Sequence, residues 1–130
     1  MTSAAEVTTA AGTTPDVRLG SAFIPVADPP AAARWYSAAL GLTVEETTEH
    51  AAVLGSGASR VTLMGPASGI RATPGLEWAS CSFVAADLVA TTVRLAAAGA
   101  DPSDVQGSAD RCLFVTARDP DGNVLLVVDR

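Results

Sequence analysis

The residues able to do chemistry in this sequence are sparse, and their spacing forms no familiar set. His50 is the sole histidine. At the edge of a pocket it would carry a proton or make a polar contact near neutral pH; in a turn before a β-type run it would simply be solvated. Glu77 stands beside Trp78, where a cleft-facing carboxylate would act as a general base and a surface one would do nothing. Cys81 and Cys112 are the only cysteines, lie far apart and form no metal-type pair. They are expected as reduced, buried thiols, with a disulfide or a reactive thiol as the alternative. Arg60 and Arg111 each open a β-type run, placed either to bind an anionic group or to face solvent. Asp28, Asp87, Asp119 and Asp121 fall at helix caps and turns, which already account for them. One histidine and no matched Ser or Cys motif leave no nucleophile–base–orienter set. No Gly-rich loop has the spacing that cradles phosphate.

The elements that would position these groups come as a near-repeat. "SAFIPVADPPAAARWYSAALGL" (21–42) and "SCSFVAADLVATTVRLAAAGA" (80–100) each pass from an apolar strand through Ala-Asp to a helical stretch that stops at Gly. Asp28 and Asp87 suit the N-cap, Pro29 and Pro30 the first turn, and Gly41 and Gly99 the left-handed position past the end. Ala32, Trp35, Tyr36, Ala39 and Leu40 predict the buried stripe of the first helix; Val89, Val93, Ala96 and Ala97 predict that of the second. Trp35 and Tyr36 are thus expected as core rather than site. Short β-type runs follow each helix: "LTVEETT", "HAAVLGS" and "SRVTLMG" in the first half, "RCLFVTA" and "NVLLVVD" in the second, with a weak signal around "DPSDVQG". The charged "EETTEH" reads as a solvated strand edge. The last strand is entered through the tight turn Asp119-Pro120-Asp121-Gly122. Each half is predicted as strand–helix–strand–strand–strand, with residues 66–74 as linker. The fold class is therefore α+β: two βαβββ modules, 17–65 and 76–130, in one domain (17–130) behind a flexible leader (1–16). Neither half is large enough to cover its own sheet, so two halves or two chains must pack around a shared cavity.

Composition excludes whole classes of function. The chain has 130 residues, a net charge of −6 and 48% apolar residues. An acidic chain without a Lys/Arg cluster is a poor partner for nucleic acid. No apolar run is long enough to span a membrane, and the N-terminus lacks the pattern of a signal peptide. The cytoplasm is the default location.

The repeat resembles the vicinal oxygen chelate superfamily, the glyoxalase, bleomycin-resistance and extradiol-dioxygenase group. The carriers are "IPVADPPAAARWYSAALGL", "FVAADLVATTVRLAAAGA" and "RDPDGNVLLVV", and the likeness runs over roughly residues 17 to 129. It implies two βαβββ modules whose sheets curl into a cleft, often completed by a second chain, so a homodimer is expected. It also implies four strand positions at which many relatives hold a divalent metal through His, Gln or Glu. Placed by the motifs, these are Ser21, Met64 or Gly65, Ser80 and Leu126. Hydroxyl, thioether and alkyl groups do not suit such an ion. A shift of one residue, to Gly20, Ala22, Ala79, Cys81, Leu125 or Val127, is no better. No metal or other cofactor is expected.

If Ser21, Ser80 and Leu126 point inward, strand alternation adds Phe23, Thr62, Met64, Trp78, Ser82, Val124 and Val128, with Phe114 and Cys112 beside them. Those side chains make either an apolar pocket with an aromatic wall and a few hydroxyls, or a filled core. The leading expectation is a metal-independent protein that binds a hydrophobic, partly aromatic small molecule at Ser21, Phe23, Thr62, Met64, Trp78, Ser80, Ser82, Phe114 and Leu126. The alternatives are a metal-free isomerase or cyclase using His50 or Glu77, a metal-dependent lyase or dioxygenase, and an interaction module with no cavity.

Overall fold

The computed structural model describes residues 16–130. The expected leader, apart from Asp16, lies outside the described residues. The first half contains β1 (Ala22–Pro25), α1 (Pro29–Leu40), β2 (Thr43–Thr47), β3 (Ala51–Ser56) and β4 (Ser59–Met64). The second repeats the order with β5 (Ser82–Val84), α2 (Leu88–Ala97), β6 (Gln106–Ser108), β7 (Cys112–Arg118) and β8 (Val124–Val128). Each half folds into a four-stranded sheet, ordered β1-β4-β3-β2 and β5-β8-β7-β6. In both, the first strand pairs parallel with the last and the other neighbours run antiparallel. The α+β fold of two βαβββ modules is what forms.

The helices begin and end where side-chain chemistry requires. The Asp28 carboxylate accepts the N–H of Ala31 at 3.4 Å, and Asp87 accepts that of Ala90 at 3.0 Å. Gly41 ends α1 at φ 73°, a left-handed conformation that costs glycine little. Strand alternation then sorts the sheets. Ile24, Ala52, Leu54, Val61 and Leu63 turn toward Ala32, Ala33 and Tyr36 of α1. Val115, Ala117 and Val127 pack with Leu88 and Leu95 of α2. Ala39 of α1 belongs to the second cluster and Leu125 of β8 to the first, while Trp35, Leu40 and Phe83 touch both. One continuous interior therefore joins the modules. The Trp35 indole N–H donates to the Ala98 carbonyl at 3.1 Å and closes the seam between the helices.

The turn before β8 does more than turn. Asp119 and Asn123 are buried. Asp119 Oδ2 accepts the Tyr36 hydroxyl at 2.6 Å and Asn123 Nδ2 at 2.8 Å, and its Oδ1 accepts the N–H groups of Asp121 and Asn123, both at 2.9 Å. Asn123 Nδ2 also donates to the Pro25 carbonyl, and its Oδ1 accepts the N–H groups of Gly75 and Leu76, all at 2.8 Å. The turn thus fastens α1, β1 and the linker to β8. Turn chemistry alone, expected for Asp119, is an incomplete account of it.

Three local expectations are corrected. The stripe Val89, Val93, Ala96 and Ala97 faces solvent, with Val89 70% and Val93 65% exposed. The buried residues of α2 are Leu88 and Leu95. This is possible because Thr91 and Thr92, both half-buried, return their hydroxyls to the carbonyls of Asp87 and Leu88 at 2.9 and 2.7 Å. Second, β5 starts only at Ser82, so Glu77, Trp78 and Ser80 precede it. Gly75 at φ 93° turns the chain there, and the Leu76 carbonyl accepts the N–H of Val124, which spends that segment on the Asn123 turn rather than on a strand. Third, the run "HAAVLGS" is strand only from Ala51, with His50 exposed in the turn before it.

Candidate functional site

A cleft of about 940 Å³ opens between the modules. Ser21, Ala22, Leu40, Leu42, Arg60 and Val61 border it from the first half. The run from Ser80 through Ala86 borders it from the second, with the helical positions Asp87, Ala90, Thr91 and Arg94. Those four recur at the spacing of one helix face, so α2 presents to the cleft a side distinct from its Val89/Val93 side.

The expected ligand-binding residues divide between this cleft and two open sheet faces. Ser21, Ser80 and Ser82 border the cleft. Phe23 pairs in register with Thr62, and Met64 follows two positions on, so these three share the face of the first sheet turned away from α1. Leu126 pairs with Ser82, and Phe114 with Val128, on the corresponding face of the second sheet. Phe23 is 49% and Trp78 62% exposed. Ser21 and Thr62 share a hydroxyl hydrogen bond of 2.8 Å, and the Ser80 hydroxyl donates to the Phe23 carbonyl at 3.3 Å across the modules. His50 and Glu77 are exposed and neither borders the cleft.

Charge in the cleft is simple. Arg60 is paired with Glu45 at 2.9 Å. Asp87 is spent on capping α2, where the positive end of the helix offsets its charge. Arg94 donates to the Ala38 carbonyl at 3.0 Å, beside Gly41. Cys81 is half-buried, and burial pushes its thiol above the ordinary cysteine range. Burial therefore disfavours the thiolate, the nucleophilic form, beside Ser80 and Ser82. Among the described residues, no three His, Cys, Asp or Glu side chains cluster as a metal site.

The family model for the glyoxalase/bleomycin resistance protein/dioxygenase superfamily matches residues 18–127. The chain belongs to this superfamily. Its fold is shared with a lactoylglutathione lyase from Agrobacterium tumefaciens, at TM-score 0.70 and 19% identity over 88% of this chain and 95% of that one. A bleomycin resistance determinant encoded on the transposon Tn5 superposes at TM-score 0.67 and 17% identity over 88% and 98% of the two chains. A superfamily member from Sphaerobacter thermophilus gives TM-score 0.70 and 21% identity over 86% and 96%. At these identities the likeness is one of fold. No curated protein matches the chain significantly.

The superfamily implies a metal in some members, and the residues here do not fit one. Ser21 and Ser80 offer neutral hydroxyls already hydrogen-bonded within the protein. Leu126 offers no donor atom. At Gly65 a side chain would run into the Pro29 ring, 2.6 Å from where its Cβ would stand. The neighbouring Met64 presents a thioether, a soft and weak ligand for such ions.

Reasoning from the sequence missed the α2 wall of the cleft. Its signal was available: Arg94 is the only charged residue in α2, four and seven positions beyond Ala90 and Asp87.

Proposed function

We propose that this protein binds a hydrophobic, partly aromatic small molecule in the cleft between its modules, without a metal. The observation that carries the reading is the replacement of all four ligand positions by Ser21, Met64 or Gly65, Ser80 and Leu126 on an intact superfamily scaffold. A wall of leucines, alanines and hydroxyls supplies affinity by burial and orientation by a few polar contacts. The role is sequestration. The protein is placed in the cytoplasm, and the homodimer expected from the resemblance would lay a second copy over Phe23, Trp78 and Val84, taking those exposed side chains out of water. No helix among the described residues is long and apolar enough to cross a membrane.

Native mass spectrometry of the purified protein, run with a metal assay and a screen of aromatic ligands, tests this. The expected result is a mass near twice the chain, no stoichiometric divalent metal and micromolar binding of an apolar aromatic. A stoichiometric divalent metal, or no apolar binder at micromolar levels, overturns it.

A further inference from the structure

We infer that the cleft selects amphiphilic anions: molecules with an apolar body and one carboxylate or sulfonate, whose charged end is held by Arg94. The inference rests on the small-molecule reading above and names its ligand class. Among the described residues, three charged side chains border the cleft. Arg60 is neutralised by Glu45, and Asp87 is turned onto the N-terminus of α2. Arg94 remains, and among the described residues no carboxylate lies within ion-pair distance of it.

The guanidinium carries five N–H donors in a planar fork. One of them is engaged, by the Ala38 carbonyl in the last turn of α1. That bond and the close approach to Gly41 fix the side chain across the seam between the helices. The fork is thus held in place with donors to spare, which is what bidentate recognition of an oxyanion needs. Leu40, Leu42, Ala90 and Val61 supply apolar surface in the same cleft. The net charge of −6 opposes anion approach only over the long range, where salt screens it within about 8 Å. At contact the nearest charge decides.

The test uses a matched pair of fluorescent probes on the full-length protein. Anilinonaphthalene sulfonate carries the anion; phenylnaphthylamine is the same aromatic frame without it. The sulfonate is expected to bind the native protein roughly tenfold more tightly than the neutral probe. Arg94→Gln should bring the sulfonate's affinity down to that of the neutral probe, and Arg94→Lys should restore part of the preference. Arg34→Gln, which removes an exposed arginine of α1 outside the cleft, should change neither. Thermal melts confirm that each variant folds. Equal affinity for both probes in the native protein, or an unchanged preference in Arg94→Gln, overturns the selection of anions and leaves the cleft reading standing. If neither probe binds, the cleft reading falls, and this inference with it.

Discussion

The Tyr36 hydroxyl donates to Asp119 Oδ2 at 2.6 Å, joining residues 83 positions apart. Both partners are buried, Tyr36 completely. The bond ties the helix of one module to the turn that starts the last strand of the other, so the cleft walls depend on it. Tyr36→Phe keeps the ring and leaves the carboxylate short of one donor. Such a loss costs about 1–3 kcal/mol. Urea unfolding should show that drop in the midpoint, and Asp119→Ala should show a larger one because four contacts go at once. A Tyr36→Phe midpoint equal to the native one would mean the bond contributes nothing.

The same pair sets a pH dependence. Burial, reinforced by the Asp119 charge and hydrogen bond, holds the Tyr36 hydroxyl far above its usual range of about 10. Above that pH the unfolded chain releases the proton and the folded chain keeps it. The stabilisation is therefore complete below pH ~10 and is lost progressively as pH rises beyond it. Melts at pH 8 and pH 11 should show a steeper loss in the native protein than in Tyr36→Phe. Parallel losses would contradict the assignment.

Most of the architecture was legible because it rests on local chemistry. Asp28, Gly41, Asp87 and Gly99 mark helix ends through their own backbone preferences, and the Ala-Asp repeat located both modules. The shared faces of Phe23, Thr62 and Met64, and of Ser82 and Leu126, followed from alternation. What escaped was non-local. Asp119 satisfied every turn rule and gave no sign of its bond to Tyr36. Trp78 and Ser80 were placed by strand alternation, but the chain is held just before them, where Asn123 accepts the backbone N–H groups of Gly75 and Leu76. The candidate site suffered from the same blindness: Ser21, Ser80 and Ser82 border the cleft at the sheet edges, while Phe23, Thr62, Met64, Phe114 and Leu126 lie further along the same sheet faces and do not border it.

That division makes a prediction about where ligand goes. Ala90 lies on the α2 side of the cleft and is exposed, so a larger side chain there fills space without disturbing the core. Ala90→Trp should weaken phenylnaphthylamine binding by at least about tenfold and change stability by no more than ~1 kcal/mol. Undiminished binding would send the ligand to the open faces around Phe23 and Trp78 instead. Alanine at His50 and Glu77 should leave binding unchanged, since both lie in solvent away from the cleft.

The two sides of α2 offer the sharpest check on the packing. The sequence LVATTVRLAA is apolar on several faces, and pattern alone chose the wrong one. Leu95 is fully buried against Val115, Ala117 and Val127, whereas Val93, two positions earlier, is 65% exposed. Leu95→Ala should therefore cost about 2–5 kcal/mol, the transfer of the three heavy atoms beyond Cβ plus the void they leave. Val93→Lys should be nearly neutral, within about 0.5 kcal/mol, because a lysine there meets water and loses only a partly buried methyl contact. Chemical denaturation of the two variants side by side decides the matter. Equal penalties would mean α2 is rotated from the orientation described, and with it would go the face that carries Ala90, Thr91 and Arg94 into the cleft.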